Sequence, residues 1–148
     1  ARPVASPALA AAAAAMPAAP AFAPAAGWTA GSRPGVWRQS LYGDPRAAGL
    51  FALRVRYADG AHFDLHTHEH DLLVTMVRGR QHLAVGTPGG APPDSARGTT
   101  YGPGDFILIK AGTPHTEWFS GDAVVQLSGP GPFRTTFVSA PVAARGGR

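Results

Sequence analysis

Apolar and polar residues alternate with a period of two along most of this chain, and the runs are short. Phe51, Leu53, Val55 and Tyr57 are separated by Ala52, Arg54 and Arg56, the pattern of a strand with one buried face. Ala58-Asp59-Gly60 predicts a turn, and a second alternating strand runs from His62 to His68. Glu69-His70-Asp71 predicts a bend. Leu72 to Val77 reads as an apolar strand ended by Arg78-Gly79-Arg80, and Gln81 to Val85 as another. The Gly- and Pro-rich stretch from Gly86 to Gly98 is an exposed loop. A tight turn, Tyr101-Gly102-Pro103-Gly104-Asp105, leads into a buried strand, Phe106 to Ile109. Ser120-Gly121-Asp122 reads as a hairpin turn between Trp118-Phe119 and Ala123 to Leu127, and Phe133 to Val138 supplies a last strand. Short strands at close spacing with turn signals between them predict an all-β sandwich or barrel.

Composition narrows this further. The 148 residues suit one domain, and 19 glycines with 15 prolines leave little room for long helices. There is no cysteine, which excludes disulfides, thiolate metal ligands and a cysteine nucleophile. The net charge of +4 comes mainly from dispersed arginines rather than from a basic run with interleaved aromatics, so nucleic acid is not an expected partner. Residues 1–27 stand apart. They are rich in Ala and Pro and lack the large side chains that a core needs. Ala21-Phe22-Ala23 has the small-x-small form of a cleavage site, so the segment reads either as an export leader, which implies a periplasmic or secreted protein, or as a low-complexity disordered arm of a protein that is otherwise cytoplasmic. No stretch is long and apolar enough to span a membrane as a helix. The folded domain is expected over 28–140, with a frayed tail over 141–148.

The candidate chemistry is concentrated in histidine. Five of the six histidines fall in two short stretches, His62 to His70 and His115. On a regular strand His62, Asp64, His66, His68 and His70 share one face, and downstream His115, Glu117 and Phe119 share another. His66, His68 and His115 are the predicted ligands of one divalent transition metal, with Fe, Ni, Zn, Cu and Mn not distinguished by residue type. Gln126, Asp64, Glu117 and Tyr101 are candidates to orient ligand N–H groups or substrate, and His62 to line a barrel mouth. Phe106, Leu108, Phe119 and Leu127 are expected to wall a dry pocket, and His82 to lie on the surface or in a satisfied core position.

Gly60-x5-His66-x-His68, with Gly79 eleven residues on, resembles the first motif of the cupins. Gly104-x5-Lys110-x-Gly112-x2-His115 resembles the second. Gly43-Asp44-Pro45, Val74-Thr75, Ala111-Gly112-Thr113-Pro114-His115 and Val125-Gln126-Leu127 ahead of Gly129-x-Gly131-Pro132-Phe133 extend the likeness to small single-domain bacterial cupins, over about Leu41 to Ser139. The resemblance implies an RmlC-like jelly roll, a double-stranded β-helix with a metal in its interior, often as a homodimer. Two positions depart from the pattern. The motif's usual glutamate is Leu72, and its usual proline is Lys110. Loss of the glutamate leaves a neutral three-histidine set, like that of some cupin dioxygenases, unless Glu69 or His70 swings in as a fourth ligand. In register with the family, Leu72 faces the metal pocket.

Three functions follow as expectations: a metal-dependent, dioxygenase-like enzyme acting on a small molecule, a non-catalytic module that binds a small ligand or metal, and a barrel with an empty site. The sequence identifies neither substrate nor reaction.

Overall fold

The computed structural model describes residues 27–138, so the segment read as leader or arm, up to residue 26, and the tail from residue 139 lie outside the described residues. Nine strands account for most of the described residues: β1 (Thr29–Ala30), β2 (Val36–Tyr42), β3 (Gly49–Tyr57), β4 (His62–His68), β5 (Leu72–Val85), β6 (Thr99–Tyr101), β7 (Phe106–Ile109), β8 (His115–Gly131) and β9 (Thr135–Phe137). The only helical turn among the described residues is a single 3-10 turn, Ser95–Arg97, inside the long loop. No helix of the described residues is long and apolar enough to cross a membrane.

Two strands organise everything else. The C-terminal half of β8 pairs with β3 on one side and with the start of β5 on the other, while its N-terminal half pairs with β4 and with the end of β5. β2 and β1 extend the first leaf beyond β3, β7 closes its other edge on β5, and β9 and β6 flank the second leaf. All pairings are antiparallel, and the two leaves curl over a shared core, the expected all-β jelly roll.

Here the structure corrects the sequence reading in an instructive way. Arg78-Gly79-Arg80 does not end a strand, and Ser120-Gly121-Asp122 is not a hairpin turn. Both are bends inside β5 and β8, which pass from one leaf to the other without interruption. The register shifts between Met76 and Arg80, opposite Ser120 to Val124. Gly79, Gly121 and Asp122 have φ of 71°, 73° and 51°. A β-carbon on Gly79 would lie 2.6 Å from the Ala123 Cα, so glycine is required both by the dihedral and by the close approach. The Arg56 and Arg78 guanidiniums bond the Asp122 carboxylate at 3.0 and 2.8 Å and clamp the bend from outside.

The core follows the alternation. Phe51, Leu53, Val55 and Tyr57 are buried, as are Leu72, Val74 and Met76, and Ile107 and Ile109. Phe106 and Leu108, expected in the pocket wall, point outward instead and are 59% and 49% exposed. A four-residue apolar run carries no parity of its own, and the pairing of Val74 with Ile107 turns the odd residues inward.

Candidate metal centre

β4 carries two of the three histidines, and it is not a regular strand. Its register against β8 shifts between Phe63 and His66. Phe63 packs against the core, His66 and His68 are buried, and His62 and Asp64 are exposed. The bulge therefore overturns the expectation of one continuous even-numbered face. Phe63 and His66, three residues apart, look inward, and the side chains of His62 and Asp64 stand outside, 3.6 Å from each other. His115 enters from the start of β8, directly opposite His66 in register.

His66, His68 and His115 each offer a ring nitrogen within 4.8 Å of those of the other two. The His66 and His115 ring centres are 4.2 Å apart. Each Nδ1 is directed at a backbone carbonyl: His66 at Asp64 O (2.7 Å), His115 at Thr113 O (2.9 Å) and His68 at Arg134 O (3.2 Å). A carbonyl only accepts, so each Nδ1 carries the proton and each Nε2 presents a lone pair. This is the tautomer a metal ligand needs, held by outer hydrogen bonds in the usual way. Burial, reinforced by the mutual repulsion of the imidazoliums, depresses the His66 pKa to about 3 and that of His68 to about 4; burial also lowers that of His115. All three rings are neutral at physiological pH. The Nε2 of His115 is buried with no hydrogen-bond partner among the described residues. An orphaned lone pair of this kind is costly unless something binds it. Nitrogens about 2.1 Å from a shared ion stand roughly 3 to 3.5 Å apart, within reach of small ring rotations. The residues fit a divalent transition metal.

Around the histidines lies a cavity of ≈ 50 Å³ bordered by Leu72, Gln81, Glu117 and Arg38 among others. Leu72 is buried in its wall. Glu117 supplies a carboxyl from another direction. It lies two residues beyond His115 on the same face of β8, with Oε1 3.9 Å from His66 Nε2. Gln81 Nε2 donates to its Oε2. Burial raises the Glu117 pKa to about 7 against the opposing pull of that hydrogen bond. Since His66 stays neutral, the 3.9 Å contact is not an ion pair. Gln81 itself is 1% exposed, and its Oε1 lacks a partner among the described residues. Sequence reading missed Gln81, which sits in a polar Arg-Gly-Arg-Gln-His stretch and finds its partner 36 residues away.

Other candidates lie elsewhere. Gln126 faces outward, opposite Arg54 and Thr75. Asp64 contributes its carbonyl but not its carboxylate. Tyr101, opposite Gln81, packs against the core without bordering the cavity. Glu69 is exposed, 3.6 Å from Arg134, and neither it nor His70 joins the histidine cluster. His82 stacks on Trp118 with its nitrogens bonded to Thr100 and Ser120. Lys110 pairs with Asp71, whose other oxygen accepts from the Ala111 amide, so the departure from the motif's proline fixes the turn ahead of His115.

No protein-family model matches the chain, and no curated protein matches it in sequence. Solved structures do. KdgF from Halomonas sp. is 25% identical, with a TM-score of 0.54 over 72% of this chain and 87% of its own. An RmlC-like cupin from Shewanella frigidimarina is 19% identical, with a TM-score of 0.53 over 68% and 79%. Oxalate decarboxylase from Lactobacillus farciminis, solved as a formate complex, is 20% identical, with a TM-score of 0.57 over 76% of this chain but only 34% of its own.

Proposed function

We propose, for a chain whose fold is that of the cupin superfamily, that it is a metal-dependent enzyme of dioxygenase-like type acting on a small molecule in the barrel interior. The observation that carries this reading is the convergence of three buried, neutral imidazoles whose Nδ1 atoms are all committed to carbonyls. His66, His68 and His115 hold the ion through Nε2. Such an ion would supply Lewis acidity and, as iron, redox chemistry with oxygen. The chain's own residues do the rest. Glu117, steadied by Gln81, is placed to take or return a proton beside the histidines. Leu72, Val125 and Phe119 exclude bulk water. Iron-loaded protein treated with nitric oxide should give the paramagnetic resonance signal of an iron–nitrosyl, and should consume oxygen with some member of a panel of small diketones, thiols and carboxylic acids. Metal-loaded protein that forms no nitrosyl and turns over none of the panel would favour a non-catalytic binding module.

The same proposal includes a homodimer and export. Leu73, Val77, Phe106 and Leu108 form an outward apolar face on β5 and the edge strand β7, 39% to 59% exposed, with Leu73 paired to Leu108. An apolar face beside an open sheet edge is what a second copy covers in a two-fold dimer. A periplasmic or secreted location rests on Ala21-Phe22-Ala23 alone.

A further inference from the structure

The outer face of the second leaf carries a cleft that has no part in the metal centre. Its volume is ≈ 340 Å³, against ≈ 50 Å³ for the interior cavity. His62, Thr116 and Trp118 form its floor, and Pro93 and Ser95 of the long loop form its rim. The β4 bulge makes room for it. His62 pairs with Trp118 and His66 with His115, but the register shifts between Phe63 and His66, so no residue of β4 stands in regular register with Thr116. Trp118 is partly buried. The His82 ring lies nearly parallel to its indole, with centroids 5.1 Å apart and planes 12° apart, and covers one face. His82 is on β5 and His62 on β4, on opposite sides of β8. The cleft borders His62 but not His82, so it lies against the other indole face, the one turned towards β4.

Three features select the ligand. The uncovered indole face is a broad apolar surface with negative π density, which attracts the C–H face of a saturated ring. Thr116 Oγ1 is buried with no hydrogen-bond partner among the described residues. Such an oxygen is costly unless something bonds it, and it both donates and accepts, as ligand hydroxyls do. No Lys or Arg borders the cleft, and the Asp64 carboxylate, 3.6 Å from His62 Nε2, opposes an anion there. We infer that the cleft binds a neutral sugar, with one face of the pyranose on the Trp118 indole and hydroxyls bonded to Thr116 and His62. The volume falls within the range of about 300–1,000 Å³ usual for small-molecule pockets. An aromatic ring would stack too, but offers the polar groups around the indole fewer bonds. The site lies outside the barrel and is independent of the metal proposal.

The probes are the methyl pyranosides of glucose, galactose, mannose and xylose, with benzyl alcohol as the aromatic counterpart. Each is titrated into full-length protein while the indole N–H resonances are followed by nuclear magnetic resonance; the Trp118 signal is the one lost in Trp118→Phe. At least one glycoside should shift that signal and bind with a Kd on the order of 1 mM. Thr116→Val, which keeps the shape and removes the hydroxyl, should weaken that glycoside about 3- to 10-fold. Trp118→Ala, followed through the ligand's own resonances, should weaken it more than about tenfold. Circular dichroism melting establishes that each variant is folded. If Trp118→Ala fails to fold, Thr116→Val and the Trp118 shift in wild type decide. Absence of binding by all four glycosides, binding that leaves the Trp118 signal unmoved, or undiminished binding by folded Thr116→Val would overturn the inference. Tighter binding of benzyl alcohol than of every glycoside would overturn it in favour of an aromatic ligand.

Discussion

Glu117 and Leu72 show how much of the site's chemistry depends on single side chains. The Glu117 carboxyl has a folded pKa of about 7 against an ordinary 4.5. Between those values the folded state holds the proton that the unfolded chain has lost, so metal-free stability falls as pH rises through that window. Above pH 7 the cost is on the order of 3 kcal/mol. Glu117→Gln, which keeps an acceptor for Gln81, should therefore raise the metal-free melting temperature at pH 8 and change it little at pH 4. The histidines act in the opposite sense. The folded pKa values of His66 and His68, about 3 and about 4, lie below the ordinary 6.5. The unfolded chain then binds more protons, and stability falls as pH drops below about 6.5. A melting series from pH 4 to 9 on metal-free wild type and Glu117→Gln separates the two slopes. A variant that gains nothing at high pH would show that the carboxylate is already compensated. Leu72→Glu tests the cavity wall. A carboxylate there should tighten metal binding at least tenfold and cost the metal-free protein about 2 kcal/mol or more. Strong destabilisation with and without metal would place Leu72 in plain core packing.

At the level of strands, what was legible and what was not divides along bulges. The parity of β3 could be read because its alternation is unbroken from Phe51 to Tyr57. The three histidines stood out by spacing, and the fold brings them together. The faces of His62 and Asp64 could not be read, because the bulge before His66 inserts an extra residue that only pairing with β8 reveals. The bends of β5 and β8 resembled turns for the same reason. Gly79 and Gly121 are turn residues by type, yet they serve where two strands cross leaf to leaf side by side. The pattern of β2 does not mark it as a strand, because Val36 is the only fully buried member of its mixed sequence. Gly79→Ala tests the bend directly. The left-handed dihedral alone costs about 1–3 kcal/mol, and the 2.6 Å approach to Ala123 adds to it. Chemical denaturation should show a loss above about 2 kcal/mol. A loss under about 1 kcal/mol would mean that the two strands can separate there freely.

Over the described residues the fold is a curled barrel whose interior brings together three buried histidines that could hold an ion, and whose exterior carries an apolar face on β5 and β7. If a second copy covers that face, Phe106→Asp combined with Leu108→Asp should convert a dimer into a folded monomer by light scattering, with metal binding retained. Monomeric wild type would remove the dimer from the proposal. The proposed activity depends on whether the three imidazoles bind metal. Elemental analysis of protein expressed with supplemental iron, nickel or zinc, beside a folded His66→Ala/His68→Ala variant, addresses this most directly. Wild type should carry near one equivalent of a divalent transition metal per chain and the variant almost none. Substoichiometric metal from every supplement, unchanged in the variant, would contradict it.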